Sequence, residues 1–168
     1  FATLDQEFVE PKSDKLLGVS TGVRQGDDME TVRQLLQLKG GVVHSVTTQT
    51  MVFDALKLMA EKNIGAVLVL ADGKIAGIMT ERDYARKVIL FGKSSRDIAV
   101  REIMSERVVT VRPEQTVEDC MALMTDKRIR HLPVMDGEKL VGLLSMGDLV
   151  KEVIADQEQT IKQLESYI

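Results

Sequence analysis

The hydrophobic positions of the chain predict two amphipathic helices of the same design. Their apolar residues are spaced i, i+3, i+4, i+7, which places them on one face of an α-helix. They lie at positions 52, 55, 56 and 59 in the first helix and at 117, 120, 121 and 124 in the second. Thr116, followed three residues later by Asp119, is a capping signal for the second helix. The chain therefore carries the same helical pattern twice.

Extended segments surround each of these helices. A β-rich stretch precedes the helix and two compact apolar runs follow it, joined by a short link that contains Gly and is typical of a β-hairpin. These segments are 42–46, 66–70 and 75–79 in the first half, and 108–111, 131–135 and 140–144 in the second. Pro133 has no N–H to donate, which predicts that its strand lies at an edge or ends early. A further helix follows over 81–91 or from 146 onward, so the pattern predicts a β-α-β-β-α unit made twice.

The two units align on each other without a gap at an offset of 65 positions. Identical pairs run through the whole unit, among them Val52/Val117, Leu58/Leu123, Gly77/Gly142 and Asp83/Asp148. Just upstream, VRQLL (32–36) resembles VREIM (100–104) at an offset of 68. A copy of about 50 residues buries too little surface to be comfortably stable alone. The copies are therefore expected to pack on each other about a pseudo-twofold axis.

These patterns predict an α/β (α+β) fold and four segments. Residues 29–93 are the first copy with its leading helix, 94–155 are the second copy, and 156–168 are a C-terminal helical tail. Residues 1–28 are mixed in composition and show little periodicity. We treat 1–28 as an N-terminal extension or linker of uncertain origin and keep it out of the fold argument.

A strand-to-helix corner occurs at the same place in both copies, as GIMTERD (77–83) and GLLSMGD (142–148). Thr80 and Ser145 each stand where a helix begins, so their hydroxyls can cap free N–H groups, which together with the helix dipole favour a nearby anion. Asp83 and Asp148 follow three residues later, where a carboxylate can accept hydrogen bonds from a ribose diol. The alternative is a capping box with Asp in place of Glu. Two copies in register favour a site for ribose and phosphate.

Composition argues against several other functions. No apolar run approaches the roughly 20 residues that span a bilayer, so no membrane insertion is expected. The net charge is −4 and aromatic residues make up 4% of the chain, so nucleic-acid binding is not expected. The single cysteine, Cys120, is interpreted as a buried thiol, and with only His44 and His131 no metal site is predicted. No acid–base–nucleophile set emerges, so the chain is predicted not to be an enzyme and no catalytic residue is assigned.

Together with the two corners, IRHLPV (129–134) and VREIM (100–104) make the chain resemble a tandem pair of CBS domains, also called a Bateman module. The resemblance covers about residues 30–155 and is greatest to small stand-alone CBS-pair proteins of bacteria and organelles. It implies that the motifs pair and bind adenine nucleotides in central clefts, with one Thr/Ser and Asp pair in each cleft. It further implies an adenine pocket lined by Ser45, Ile64 and Ala66 in the first copy, and by Thr110, Ile129, His131 and Pro133 in the second.

The cationic residues of the two copies differ. Arg130 and His131 have no cationic counterpart in the first copy, and Arg82 has none in the second. Because the guanidinium fork matches phosphate oxygens, these residues are assigned to phosphate binding, with different affinities at the two sites. The alternative for the cluster KRIRH (127–131) is a solvated charged face.

The expected function is a regulatory, nucleotide-sensing module. Its ligand would be AMP, ADP, ATP or NAD(H), and binding would signal to an unknown effector protein by conformational change. The alternative is a structural or accessory subunit of a larger assembly, such as an organellar respiratory one, with vestigial or permanently occupied sites. The expected compartment is the cytoplasm of a bacterial-type cell, with the mitochondrial matrix as the alternative.

The C-terminal tail bears on assembly. Ile154, Ile161, Leu164 and Ile168 form a stripe with Gln157 in the vacant seam position. Two heptads are too short for a stable coiled coil alone. The stripe can pack on the module's own surface or pair with a second chain. Because CBS pairs commonly dimerise, the resemblance implies a homodimer through the CBS module and this helix.

Overall fold

The computed structural model describes residues 30–167, so the expected extension at 1–28 and Ile168 of the tail stripe lie outside the described residues. Within this range the chain forms five α-helices and five β-strands. Their bounds are α1 Val32–Lys39, β1 Ser45–Thr47, α2 Val52–Lys62, β2 Ala66–Ala71, β3 Lys74–Thr80, α3 Glu81–Lys87, α4 Val117–Lys127, β4 His131–Asp136, β5 Lys139–Ser145 and α5 Met146–Glu165. The predicted α+β class with its C-terminal helix is confirmed.

The predicted apolar faces of the two inner helices are confirmed. Three predicted positions in each helix are buried, at Val52, Ala55 and Met59 of α2 and at Val117, Cys120 and Met124 of α4. The predicted Leu56 and Met121 are half-buried, and Leu58 is buried in addition. Thr116 caps α4 as predicted, because its Oγ1 accepts from Asp119 N–H at 3.1 Å and its own N–H donates to the Asp119 carboxylate at 3.0 Å. This reciprocal pair satisfies donors that the first helical turn leaves open.

Both predicted hairpins form. Strand β2 pairs with β3, and β4 pairs with β5, each antiparallel. At the first hairpin loop Asp72 and Gly73 have φ of +51° and +74°, the positive values at both central positions that a type I′ turn requires. Among the described residues β4 pairs as a strand with β5 alone, so Pro133 lies in an edge strand as predicted. The strand nevertheless continues past Pro133 to Asp136.

Residues Val42–Thr110 form one compact unit. Its sheet has the order β1-β2-β3, with β1 parallel to β2. The first four residues of β2 are buried, as the continuous apolar run predicts for a strand covered on both faces. The core joins the buried face of α2 to Val67, Val69 and Met79 of the hairpin and to Val100 and Ile103.

The second unit contains 30–41 and 111–167. The strand predicted at 108–111 is wrong, since only Val111 pairs, in a single parallel bridge to Val134. Val111 N–H donates to Pro133 O at 3.0 Å and Val111 O accepts from Met135 N–H at 2.9 Å. One step upstream, Val109 O would accept from residue 133, but Pro133 has no N–H, whereas in the first copy the equivalent bond forms from Leu68 N–H to His44 O at 3.3 Å. One step downstream the donor would be residue 113, and Pro113 has no N–H either.

Helix α1 belongs to the unit of the second copy, whereas the expected boundaries grouped it with the first. Its first turn bonds to the segment before α4, because Val32 N–H donates to Gln115 O at 2.8 Å and Arg33 N–H donates to Pro113 O at 2.9 Å. The capping box of Thr31 and Gln34 completes this helix start. Conversely, the related segment at 100–104 lies in the unit of the first copy. Each leading segment thus packs with the other copy.

Candidate functional site

The two corners have the same backbone geometry. In register, Ala66 pairs with Thr80 in the first copy and His131 pairs with Ser145 in the second. The N–H of the first helical residue donates to the carbonyl before the opposite strand, from Glu81 to Gly65 at 3.1 Å and from Met146 to Arg130 at 2.8 Å. A complete capping box is present at both corners, so the capping geometry weighed as the alternative is confirmed for both. Capping alone leaves the ligand question open.

Glycine at the start of each corner is explained by close approach. A Cβ on Gly77 would lie 2.9 Å from Ser105 O and 2.8 Å from Met104 Sδ. A Cβ on Gly142 would lie 2.5 Å from Leu36 Cδ2, on helix α1. Each corner is therefore packed directly against the leading segment of the other copy, Met104 in one case and Leu36 in the other.

At the first corner the carboxylate of Asp83 is engaged on both oxygens. Oδ2 accepts from Thr80 N–H at 2.9 Å and from Thr80 Oγ1 at 3.1 Å. Oδ1 lies 3.1 Å from Lys87 Nζ, one turn further along α3, and Lys87 also donates to Ile103 O. Asp83 is 9% exposed. The buried carboxylate thus caps the start of α3 and forms an ion pair with Lys87 on the same helix.

At the second corner the counter-cation comes from a distant helix. Asp148 Oδ2 accepts from Ser145 N–H at 2.7 Å and lies 2.5 Å from Lys39 Nζ, at the C-terminal end of α1. Lys39 also donates to Leu143 O. The position equivalent to Lys87 is Glu152, so no local lysine can serve Asp148 from that position. Burial alone would raise the pKa of Asp148, but the hydrogen bonds from Lys39 and Ser145 outweigh it and hold the pKa below its usual value.

A cavity of about 420 Å³ opens beside the second corner. This volume lies within the range of roughly 300–1,000 Å³ found for small-molecule sites. The cavity combines residues at the start of β4 and at the end of β5 with one face of α5. It is lined by Arg130, His131, Ser145, Met146, Gly147, Val150, Lys151 and Ile154.

The charge at this cavity is positive. Burial lowers the pKa of His131, and the nearby positive charges of Lys39 and Arg130 lower it further, against an opposing effect of Asp148. The imidazole is therefore held neutral near pH 7, while Arg130 and Lys151 are exposed cations on the cavity lining. The site can accept an anion and offers a hydroxyl, an imidazole and cations around it.

The structure brings three sequence-predicted residues, Arg130, His131 and Ser145, onto one cavity, with Asp148 bonded to Ser145 behind them. In the first copy Ala66 is 1% exposed beneath Thr80, and Arg82 is exposed on the first turn of α3.

The remaining predicted adenine-pocket residues are distributed differently between surface and core. Ser45 and Ile129 are half-buried and Thr110 is exposed. Ile64 packs against the core of the first unit, and Pro133 is buried within β4.

Sequence reasoning missed two lysines and the α5 face. Lys87 had a local signal, since it lies four residues after Asp83 on a predicted helix. Val150 and Ile154 also had one, because with Met146 they recur every four residues on the last helix. Lys39 had no such signal. It lies 109 positions from its partner Asp148, and the repeat does not show which copy its segment packs against.

Residues 30–167 lack the features of two other kinds of site. Neither a group of three or more His, Cys, Asp and Glu side chains suited to a metal ion nor a helix able to cross a membrane is found there. Cys120 is buried, and burial together with the charge of Asp119 raises the pKa of its thiol to about 11. The thiol is thus protonated at physiological pH.

Comparisons with known proteins agree on one family. The profile of the CBS domain matches residues 41–89 and 100–155. The mitochondrial CBS domain-containing protein CBSX3 of Arabidopsis thaliana is 39% identical over 152 residues, which cover 85% of this chain and 74% of that protein. The CBS domain-containing protein YhcV of Bacillus subtilis is 32% identical over 115 residues, 68% of this chain and 81% of that protein.

Solved structures give the same result. A protein with CBS domains from Burkholderia ambifaria matches with a TM-score of 0.73 at 57% identity, over 76% of this chain and 96% of that one. A hexameric CBS-CP12 protein from bloom-forming cyanobacteria matches with a TM-score of 0.67 at 32% identity, over 74% of this chain and 72% of that one.

Proposed function

The chain belongs to the CBS domain family, and we propose that it is a regulatory module that binds an adenosine-containing ligand at the corner of its second copy. The ligand class is AMP, ADP, ATP or NAD(H). Binding changes the conformation of the module, and an effector protein responds to that change. No catalytic step is part of the proposal.

The cavity beside Ser145 is the observation that carries this proposal. It has the volume of a small-molecule site, and it joins cations to the start of α5, where the helix dipole favours negative charge. In the proposed mode Arg130 and Lys151 attract the phosphate while Ser145 lies at the helix start. The neutral His131 is available as a hydrogen-bond partner without adding charge.

Asp148 is proposed to accept from the ribose diol. The hydrogen bonds from Ser145 N–H and Lys39 both end on Oδ2, so Oδ1 carries neither of them. The depressed pKa keeps the carboxylate ionised at neutral pH, so that both of its oxygens act as acceptors. Ile129, which is half-buried just before Arg130, is proposed to contact the adenine.

The first copy supports a second candidate function, that of an accessory subunit with one structural corner. Asp83 is buried, and both of its carboxylate oxygens are engaged by Thr80 and Lys87. In the regulatory module proposed above, by contrast, the same corner residues Thr80, Arg82 and Asp83, with Ser45, Ile64 and Ala66, form the weaker nucleotide site. If Asp83→Asn leaves the stoichiometry of nucleotide binding unchanged, that corner is structural; loss of one site would show that it binds.

The direct test is thermal unfolding of protein freed of bound small molecules, with AMP, ADP, ATP and NAD added separately. A ligand at one hundred times its dissociation constant stabilises the fold by about 2.7 kcal/mol. For a domain of this size that corresponds to a rise in Tm of roughly 5–10 °C. Melting curves that none of the four compounds shifts at millimolar concentration would contradict nucleotide binding.

Assembly and compartment are proposed from the tail and the relatives. Ile154, Ile161 and Leu164 are exposed on α5 in the single chain, and a second copy is proposed to cover them in a homodimer. Gel filtration with light scattering tests this, and a monomer at micromolar concentration would contradict it. The Arabidopsis relative is named as mitochondrial and another relative is bacterial. We therefore propose that this protein acts in a bacterial-type cytoplasm or in the mitochondrial matrix.

A further inference from the structure

Lys39 connects the second corner to helix α1 from the side of α1, whereas at the first corner the link to the leading segment runs from the corner's own helix, through Lys87, which donates to Ile103 O. Asp83 has its cation four residues away on the same helix, in Lys87. At the aligned place the second copy has Glu152, and the cation on Asp148 comes from Lys39, 109 positions earlier. The two corners therefore share a cap and differ in which element supplies the charge.

The contact is well placed to hold the end of α1. Lys39 is the last residue of this helix, and its ammonium group reaches both Asp148 Oδ2 and Leu143 O. The side chains of Lys39 and Asp148 are 31% and 22% exposed, so solvent screens the pair only in part. Leu36, one turn earlier, packs against Gly142. The C-terminal half of α1 is thus held on the corner by one ion pair and one apolar contact.

The start of α1 is held differently, at a distance from the corner. Its N–H groups at Val32 and Arg33 bond to the carbonyls of Gln115 and Pro113, and Arg33 pairs with Glu114 at 2.9 Å. A change at Asp148 would therefore act on the last turn of α1 while the first turn stays attached. This makes the last turn a local element whose stability can vary with the state of the corner.

We infer that Lys39 is a positioning residue that couples ligand occupancy of the second corner to the docking of helix α1. The inference rests on the proposed nucleotide site. Without ligand, Lys39 pairs with Asp148, while Arg130 and Lys151 line the cavity beside Ser145. A bound phosphate brings negative charge beside these cations, which strengthens the attraction that holds Lys39 at the corner. Helix α1 is then the element through which occupancy is passed on.

The coupling has a defined direction. AMP slows hydrogen exchange of the amides at 36–40, because the last turn of α1 opens less often when Lys39 is held more strongly. Adenosine, which lacks the phosphate, slows it less. Amides at 32–34 respond weakly to either compound, since their half of the helix is fixed by Gln115 and Pro113.

Hydrogen exchange measured by mass spectrometry tests the inference in the full chain. The variants are Lys39→Met, which keeps the apolar stem and removes the charge, Lys39→Arg, which restores a cation, and Lys87→Met as the matched control at the first corner. Saturating AMP should slow exchange at 36–40 by about threefold to tenfold in the wild type, the range of a partly screened ion pair. The response should disappear in Lys39→Met, return in Lys39→Arg, and persist in Lys87→Met.

Affinity measured on the same samples separates the possible failures. An AMP response at 36–40 that survives unchanged in Lys39→Met would overturn the inference, as would binding of AMP to the wild type with no change in exchange. A general structural effect of Lys39 would speed exchange with and without AMP and leave the AMP-induced ratio intact, which would also overturn it. Failure of the wild type to bind AMP at all would contradict the proposed function itself, and the inference with it.

Discussion

Replacing Arg130 by alanine should weaken binding of AMP much more than binding of adenosine. The side chain of Arg130 is exposed on the cavity lining, and its backbone carbonyl, which accepts from Met146 N–H at 2.8 Å, is kept in the variant. The corner should therefore fold normally. A charge-assisted hydrogen bond contributes about 1.5–3 kcal/mol, and exposure reduces this by solvent screening.

We expect a loss of about 1–1.5 kcal/mol for AMP, or roughly fivefold to tenfold in the dissociation constant. Adenosine carries no phosphate, so its affinity for the variant should fall by less than about twofold. Since the contact is screened by ions, the AMP loss should shrink between 50 and 500 mM salt, conditions that change the Debye length from about 14 to about 4 Å.

Isothermal titration of wild type, Arg130→Ala and Lys127→Ala checks this prediction. Lys127 is exposed in the same basic cluster, pairs with Asp126 at 3.8 Å and is not part of the cavity lining, so its removal is a matched control for overall charge. Equal weakening of AMP and adenosine in Arg130→Ala would refute the phosphate role. Equal effects of the Arg130 and Lys127 variants would identify the cluster as a solvated charged face.

Three further predictions concern stability and reactivity. Gly77→Ala should cost about 2–3 kcal/mol and Gly142→Ala nearer 1 kcal/mol in urea unfolding, because the new Cβ meets a backbone oxygen in the first case and a rotatable Leu36 side chain in the second; equal costs would contradict this reasoning. Cys120 should resist iodoacetamide at pH 8 in the folded chain, since its thiol has a pKa of about 11 and is buried, and rapid labelling without unfolding would contradict it. Asp148 has a depressed pKa in the folded state, so its contribution to the free energy of unfolding is present above the unfolded pKa near 3.8 and is lost as the pH falls through the lower folded pKa. Asp148→Asn should therefore make the free energy of unfolding depend less on pH in acid, and an unchanged dependence would be inconsistent with the ion pair.

Much of the fold could be predicted from sequence because its signals are local. The helix starts at Thr80, Thr116 and Ser145 follow from a hydroxyl and an acid three residues apart, and all three capping boxes form. The hairpins follow from apolar runs and Gly-containing links. These features depend on neighbours within a few positions, which the sequence displays directly.

The features that sequence missed depend on packing between distant segments. Self-alignment shows that 32–36 resembles 100–104, but similarity does not reveal which copy each segment packs against. For the same reason Lys39 could not be assigned to Asp148. The failed strand at 108–111 has a different cause, because its β-rich pattern is right for a strand and Pro133 of the neighbouring strand lacks the N–H that Val109 O would accept.

The central claim, that the second corner binds an adenine nucleotide, is tested most directly by titration calorimetry of AMP on ligand-free protein. Three proteins are compared: wild type, Asp148→Asn and Asp119→Asn. Asp119 forms the same capping box with Thr116 on α4, whereas the partner of Asp148 is Ser145 on the cavity lining, so the Asp119 variant controls for the loss of a cap. The account predicts binding to wild type and to Asp119→Asn with equal affinity, and at least tenfold weaker binding to Asp148→Asn. No binding to the wild type, or equal affinity in all three proteins, would contradict it.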